Sequence, residues 1–322
     1  MIGIIADIQY APIPDGYNYT GTNARYYRHS LIATKNAFQT FTNYIPNDDT
    51  STTRTRTRTG VDIVINLGDI VDGKCQDTNS AGMLSLKQVH HAMLSYTKTG
   101  RKILHTYGNH CLYNFNRTQL RQQLGIPFFI EEESESKSKS GHNKNNGFSI
   151  KFIILDGYDI ALMKRSNTKS KKYKLAEDIL KKENPINYKA NNMNSPEGLE
   201  GIQKRFVGFN GAIGDQQLIW LSDELQQSRR NCSSRCNNQK VIVLCHQSIH
   251  PDSSNPVCVL WNYDKVLDIL RSYSDIVIGA FSGHAHKGGY VRDPISGIHF
   301  RIIEAVLESK PTISTYGVLE IY

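Results

Sequence analysis

Short apolar runs rich in isoleucine and valine recur along the chain and alternate with stretches of helical spacing. The runs are continuously apolar, which is typical of strands buried on both faces. They read IGIIAD, VDIVINLGD, RKILHTYGNH, FSIKFIILDGYD, KVIVLCHQS, DIVIGAFSGHAH and HFRIIEAV. Helical spacing lies in ARYYRHSLIATKNAFQTFTNYI, MLSLKQVHHAMLSYTKTG, IGDQQLIWLSDELQQS and YDKVLDILRSYS, and Asp215 and Asn262 are candidate caps of the last two. Strands that alternate with helices predict an α/β fold.

Three polar regions interrupt this rhythm, near residues 46–60, 131–147 and 157–207. The first two contain few apolar residues and are predicted to be surface loops. The third is rich in asparagine and lysine, and we interpret it as a loop insertion that helps to wall a site, because it has too few apolar residues for a core of its own. We therefore predict one domain over residues 1–322.

The composition of the chain argues against nucleic acid and membranes as binding partners. The chain has 322 residues, 39% of them hydrophobic, and a formal charge of +8. Much of the positive excess stands in polar stretches such as TTRTRTRTG, which favours solvated loops over a nucleic-acid surface. The six cysteines lack paired CxxC spacing, and no apolar run is long enough to span a bilayer. We expect a cytoplasmic monomer that binds neither nucleic acid nor membranes.

Most of the predicted strands are followed by side chains that can bind metal ions. In open α/β sheets ligands gather outside the carboxyl ends of the strands, so groups far apart in sequence can meet there. A turn, a helix cap or a hydrogen-bonded core histidine could explain each one singly, but not five such strand ends in one chain. The side chains are Asp7, Gln9, Asp69, Asp72, Asn109, His110, His246, His284 and His286.

Their chemistry suits two neighbouring divalent cations. Such a pair needs a bridging carboxylate, terminal carboxylate and amide oxygens, and imidazole nitrogens. We predict that Asp69 bridges, that one ion also takes Asp7, Gln9 and His286, and that the other also takes Asn109, His246 and His284. The two histidines of GHAH can thus send one imidazole to each ion, whereas Asp72 is expected to fix its turn or to orient a ligand.

The blocks DIQ, GDIVDG, GNH, CHQ and GHAH, in this order, resemble those of the calcineurin-like metallophosphoesterase superfamily. The resemblance implies a four-layer α/β/β/α sandwich, in which two mixed β-sheets are flanked by helices, and hydrolysis of phosphate esters or diphosphates at a dinuclear metal centre. The first block of the superfamily usually reads Asp-x-His, and here Gln9 replaces that histidine. Because an amide oxygen is a harder ligand than imidazole, we expect Mn²⁺, with Mg²⁺ as an alternative, rather than Zn²⁺ or iron.

The longer blocks ADIQYA, NLGDIVDG, TYGNHC and FSGHAHKGGY are similar to those of the manganese-dependent ADP-ribose/CDP-alcohol diphosphatases. This similarity implies hydrolysis of the diphosphate bond of ADP-ribose, CDP-choline-type alcohols and related nucleoside diphosphate compounds, by a hydroxide that the two metal ions activate. The alternatives are a cyclic-nucleotide phosphodiesterase or a phosphoprotein phosphatase of the same superfamily. A more remote one is a scaffold protein that has lost its metal.

His110 is the candidate catalytic residue, because it adjoins the predicted ligand Asn109. It could donate a hydrogen bond to the phosphoryl group or protonate the leaving oxygen, although orienting a ligand is the other role open to it. The candidate substrate contacts are an arginine suited to phosphate and residues that could line a pocket. They are Arg25, Tyr113, Phe209 and Cys258.

Overall fold

Two mixed β-sheets pack face to face in the computed structural model, and helices cover both outer surfaces. The structure describes residues 1–45, 59–77, 81–126, 142–145, 148–163, 168–234 and 238–321. The strands are β1 (Ile2–Ile5), β2 (Gly16–Tyr17), β3 (Ala24–Arg25), β4 (Ile63–Asn66), β5 (Lys102–His105), β6 (His142–Asn145), β7 (Phe148–Ile154), β8 (Ile160–Ala161), β9 (Gly211–Ala212), β10 (Asn238–Leu244), β11 (Val277–Ser282), β12 (Gly289–Arg292), β13 (His299–Ile302) and β14 (Gly317–Leu319).

The helices fall between these strands. They are α1 (His29–Asn43), α2 (Ala81–Ala92), α3 (Leu94–Thr97), α4 (Asn109–Asn114), α5 (Arg117–Leu124), α6 (Lys171–Glu183), α7 (Pro185–Lys189), α8 (Asp215–Ser234) and α9 (Tyr263–Ser272). Short 3₁₀ helices occupy Gly73–Asp77, Gly201–Arg205, Pro251–Ser253, Pro256–Cys258 and Val306–Glu308.

The first sheet has the strand order β14-β1-β4-β5, with β14 antiparallel to three parallel strands. The second has the order β12-β13-β11-β10-β7-β6, in which four parallel central strands have an antiparallel strand at each edge. With the helices outside, this is the four-layer α/β/β/α sandwich of two mixed sheets, so the prediction of the fold class is confirmed.

The continuous apolarity of the strands has a direct cause in this layering. Alternate residues of a strand point to opposite faces of its sheet. In β10, Ile242 and Leu244 belong to the core between the sheets, whereas Val241 and Val243 pack in the cluster that includes α8 and α9. Because both faces are buried, neither set of positions can be polar.

The same alternation explains a glycine in β1. A Cβ atom at Gly3 would lie 2.8 Å from the ring of Phe41 on α1. The absence of a side chain therefore lets α1 pack directly on the outer face of the first sheet.

Residues 157–207 differ from the predicted loop insertion, because they contain α6 and α7. Ala176 and Leu180, four residues apart on α6, are fully buried in a small apolar cluster with Phe206 and Trp261. The apolar residues are few but have helical spacing, which the overall polarity of the segment hides. Most of the regions 46–60 and 131–147 lies outside the described residues, but the described part of the second is not a loop, since His142–Asn145 form β6. The extent of the domain stays a prediction.

The two candidate caps also act differently from the expectation. Asp215 is the first residue of α8 and not the residue before it. Asn262 precedes α9 but makes no capping hydrogen bond. Its Oδ1 accepts from the backbone N–H of Ile213 at 3.0 Å and its Nδ2 donates to the Ile213 carbonyl at 2.8 Å, so the side chain fastens the strand–helix connection of α8 instead.

Candidate metal centre

The predicted metal ligands follow the carboxyl ends of strands from both sheets. Asp7 follows β1, Asp69 follows β4, Asn109 begins α4 after β5, His246 follows β10 and His284 follows β11. Asp7, Asp69 and His246 are fully buried, and Asn109 is 4% exposed. Backbone hydrogen bonds join the segments, since the N–H of His284 donates to Asp7 Oδ2 at 2.9 Å and that of His110 donates to Asp69 Oδ1 at 2.8 Å.

The backbone at these positions is unusual. Asp7, Gln9, Asp69 and His284 all have positive φ, between 42° and 66°, and Asn191 is the other such non-glycine residue in the described part of the chain. A left-handed conformation costs a residue with a Cβ roughly 1 kcal/mol or more and persists where its surroundings enforce it. Its concentration at the predicted ligands indicates a functional site.

The glycines next to the ligands leave room for carboxylates. A Cβ at Gly108 would overlap Asp69 Oδ1, and a Cβ at Gly283 would lie 2.5 Å from Asp7 Oδ2. Larger residues would therefore displace two of the predicted ligands.

One group of ligand atoms surrounds the amide end of Gln9. Gln9 Nε2 lies 3.4 Å from Asp7 Oδ1, 3.3 Å from Asp69 Oδ2 and 2.9 Å from His286 Nε2. Gln9 Oε1 is buried without a hydrogen-bond partner among the described residues. A half-turn of the amide exchanges the two atoms and directs the oxygen at the same point, as a metal ligand requires.

A second group consists of Asp69, His246 and His284, each of which offers one ligand atom within 4.8 Å of the others. His246 Nδ1 donates to the Leu67 carbonyl at 2.6 Å, which leaves the lone pair of Nε2 free. This buried Nε2 lies 3.3 Å from Asp69 Oδ2 and has no hydrogen-bond partner in the described structure. Asp69 thus contacts both groups, as expected for a bridging carboxylate.

Hydrogen bonds set the orientation of the remaining imidazoles. His284 Nε2 lies 2.8 Å from Asn210 Oδ1, an arrangement that leaves Nδ1 as the acceptor. His286 Nδ1 lies 2.7 Å from Glu308 Oε1, which leaves Nε2 as the acceptor beside Gln9. Donation by one ring nitrogen to an oxygen partner is the usual way of fixing the tautomer of a metal-binding histidine.

Asn109 is held by two tyrosines. Its Oδ1 accepts from the Tyr158 hydroxyl at 3.1 Å, and its Nδ2 lies 3.4 Å from the Tyr113 hydroxyl. The Tyr158 ring in turn lies 6.0 Å from the His246 ring, centroid to centroid. Asn109 therefore adjoins the Asp69–His246 side of the site.

The charges of the site favour cations. Burial works to raise the pKa of Asp7 and of Asp69, but nearby imidazoles and hydrogen bonds outweigh it and both pKa values are lowered. Among the described residues neither carboxylate forms an ion pair with lysine or arginine. Two buried carboxylates that stay ionised need compensating positive charge. With the free His246 Nε2 and Gln9 Oε1, they form a donor set that fits two divalent ions.

His110 faces a different set of partners. The Gly73 N–H donates to His110 Nδ1 at 2.9 Å, and Asp72 Oδ2 lies 3.2 Å from the same atom. Burial works to lower the pKa of His110, but the carboxylates of Asp69 and Asp72 outweigh it and the pKa is raised. Asp72 also fixes its turn, because Oδ1 accepts from the Lys74 N–H at 2.8 Å.

The four candidate substrate contacts lie around this centre. Arg25 Nε is 3.5 Å from Glu308 Oε1. The ring centroid of Tyr113 is 5.5 Å from that of His110, and that of Phe209 is 5.7 Å from that of His284. Burial, assisted by the charge of Asp7, raises the pKa of the Cys258 thiol to about 12.

Sequence reasoning missed the orienting roles of Asn210, Tyr158 and Glu308. Asn210 lies 74 positions from His284 in the sequence, so no spacing pattern connects the two residues. Glu308 follows the last predicted strand and belongs to no recognisable block. A polar residue in an otherwise apolar stretch near a strand end is the one signal that could have marked them.

None of the helices in the described part of the chain is both long enough and apolar enough to cross a bilayer.

Comparisons with known proteins agree with this geometry. A family model described as calcineurin-like phosphoesterase matches residues 1–288. A protein from Arabidopsis thaliana named manganese-dependent ADP-ribose/CDP-alcohol diphosphatase is 35% identical, over 99% of this chain and 90% of its own length. The protein of the same name from Homo sapiens is 32% identical, over 99% and 86%. The crystal structure of a dimetal phosphatase from Danio rerio has a TM-score of 0.75 and 28% identity, covering 98% of this chain and 90% of that one.

Proposed function

The chain belongs to the calcineurin-like phosphoesterase family, and we propose that it is a manganese-dependent hydrolase of the diphosphate bond in ADP-ribose, CDP-alcohols and related nucleoside diphosphate compounds. The observation that carries the reaction class is the buried group of side chains around Asp69, in which two carboxylates have no lysine or arginine partner among the described residues and a histidine nitrogen and an amide oxygen have no hydrogen-bond partner. The proposed substrate class is supported by the relatives, which are named ADP-ribose/CDP-alcohol diphosphatases and align with nearly the whole chain.

We propose the following roles for the residues at the centre. Asp7, Gln9, Asp69 and His286 hold one Mn²⁺, and Asp69, Asn109, His246 and His284 hold the other. Two such ions supply a water of lowered pKa and positive charge opposite the phosphoryl oxygens. Hydrogen bonds to Glu308, Asn210 and the Leu67 carbonyl hold the three histidines of these two sets in place.

His110 is proposed to transfer a proton at the leaving oxygen. In the neutral ring whose Nδ1 accepts from Gly73, the proton resides on Nε2, which is the atom free to donate. Asp72, at 3.2 Å, stabilises the ring when it is charged. Arg25 is proposed to contact a phosphate, and Tyr113, Phe209 and Cys258 to line the pocket for the rest of the substrate.

A substrate panel tests this function. The purified chain is incubated with ADP-ribose and CDP-choline in Mn²⁺, Mg²⁺ or chelator, and the nucleoside monophosphate and the second phosphate ester are measured. We expect cleavage of both in Mn²⁺, less in Mg²⁺ and none in chelator. Cleavage of a cyclic nucleotide or a phosphopeptide, with both diphosphates intact, would assign the alternative activities. Failure to cleave any of them, with no metal bound, would indicate the scaffold protein.

We also propose that residues 1–322 act as one domain, as a cytoplasmic monomer without nucleic-acid or membrane partners. The cytoplasmic location is supported by the cysteines whose side chains the structure describes. All of them are free thiols, as is usual in a reducing compartment.

A further inference from the structure

We propose that Glu308 is a positioning residue that holds the imidazole of His286 ready for a metal ion. The proposal rests on the metal centre of the proposed function but not on the identity of the substrate. Glu308 lies 22 positions after His286, and its Oε1 is 2.7 Å from His286 Nδ1. Because Glu308 accepts the Nδ1 proton, the lone pair of His286 is on Nε2. This atom faces Asp7 Oδ1, 3.5 Å away, and the amide of Gln9.

Backbone hydrogen bonds join the segment around Glu308 to the two segments that carry Asp7 and His286. The N–H of Leu307 donates to the Asp7 carbonyl at 3.1 Å, and the N–H of Val306 donates to the Ala6 carbonyl at 3.1 Å. The N–H of Ala305 donates to the His286 carbonyl at 3.0 Å. These bonds place the Glu308 carboxylate at a set distance from two ligand-bearing segments that are remote in sequence.

The carboxylate is itself held in one orientation. Its Oε2 accepts from Asn23 Nδ2 at 3.0 Å, and Arg25 Nε lies 3.5 Å from Oε1. Both partners come from the segment around β3, and the N–H of Tyr26 in that segment donates to the Leu307 carbonyl at 2.8 Å. Glu308 therefore connects a metal ligand to the segment that carries the proposed phosphate contact.

Glu308 is also reachable from a cavity. It lines a cavity of about 850 Å³ together with His286, Lys287 and Glu304. Glu304 has a carboxylate in the same cavity, but it pairs with Arg301 at 2.7 Å and not with a predicted ligand. Glu304 is therefore a matched control, and the cavity gives a small carboxylate access to the place that a truncated Glu308 would leave.

The test is a calorimetric Mn²⁺ titration of the substrate-free protein, comparing Glu308→Ala with Glu304→Ala and the unmodified chain. Partners that orient metal-binding histidines contribute about 10- to 100-fold in metal affinity. We expect one of the two Mn²⁺ ions to bind about 10- to 100-fold more weakly to Glu308→Ala and both to bind normally to Glu304→Ala. Sodium formate should restore affinity to Glu308→Ala, whereas sodium chloride at the same ionic strength should not.

Unchanged affinity in Glu308→Ala would overturn the proposal, and so would equal weakening in Glu304→Ala or equal restoration by chloride. If Glu308→Ala does not fold, Glu308→Met decides, because it keeps a side chain of similar length and removes the acceptor of the Nδ1 proton. One Mn²⁺ ion should bind about 10-fold more weakly to it, and unchanged binding would overturn the proposal. Because no substrate is present, these outcomes are independent of whether ADP-ribose is cleaved.

Discussion

The Asp69→Asn variant is expected to lose at least about 1,000-fold in kcat with ADP-ribose and to bind one Mn²⁺ ion at most. Asp69 Oδ2 lies 3.3 Å from Gln9 Nε2 in the first group of ligand atoms and 3.3 Å from His246 Nε2 in the second, whereas Asp7 Oδ1 is farther from His246 Nε2, at 3.9 Å. Asparagine keeps an oxygen at this position but has no negative charge, so it is a much weaker ligand for two neighbouring cations. The loss corresponds to about 4 kcal/mol of transition-state stabilisation.

The control for this variant is Asp268→Asn, which removes an exposed carboxylate on α9 that is 77% accessible. It should match the unmodified chain in both measurements. Retention of two ions by Asp69→Asn, with kcat within tenfold of the unmodified chain, would contradict the bridging role.

His110→Ala is expected to lose about 100- to 10,000-fold in kcat while both Mn²⁺ ions remain bound, the range typical of a general acid or base. The metal should stay because the observed partners of the ring are Gly73 and Asp72, not the predicted ligands. Steady-state kinetics with ADP-ribose and a Mn²⁺ titration check the two halves of this expectation.

The matched histidine is His91 on α2, which is exposed and belongs to none of the ligand blocks. His91→Ala should leave kcat and metal content unchanged. If His110→Ala instead released one of the ions at unchanged fold, its role would be to orient a ligand, and the assignment as proton donor would fail.

The strand ends could be predicted from sequence because the rules that govern them are local. A continuous apolar run such as that of β10 indicates a strand buried on both faces, and its end at His246 can be read directly from the sequence. The structure shows in addition that such ends, from different strands, lie next to each other.

The residues that orient the ligands could not be predicted in this way. Glu308 meets His286 and Asn210 meets His284 because separate segments dock on each other, across 22 and 74 positions. No spacing rule connects them. Asn262 shows the same limit on a smaller scale, since the side chain expected to cap α9 fastens the backbone of Ile213 instead.

The crystal structure of the Mn²⁺-soaked protein, with anomalous data at the manganese edge, tests the central claim most directly. The account predicts two anomalous peaks in each chain, about 4 Å apart, with the Asp69 carboxylate between them. One peak should lie by Gln9 and His286 and the other by His246 and His284. A single peak, or two peaks that do not share Asp69, would contradict the dinuclear centre.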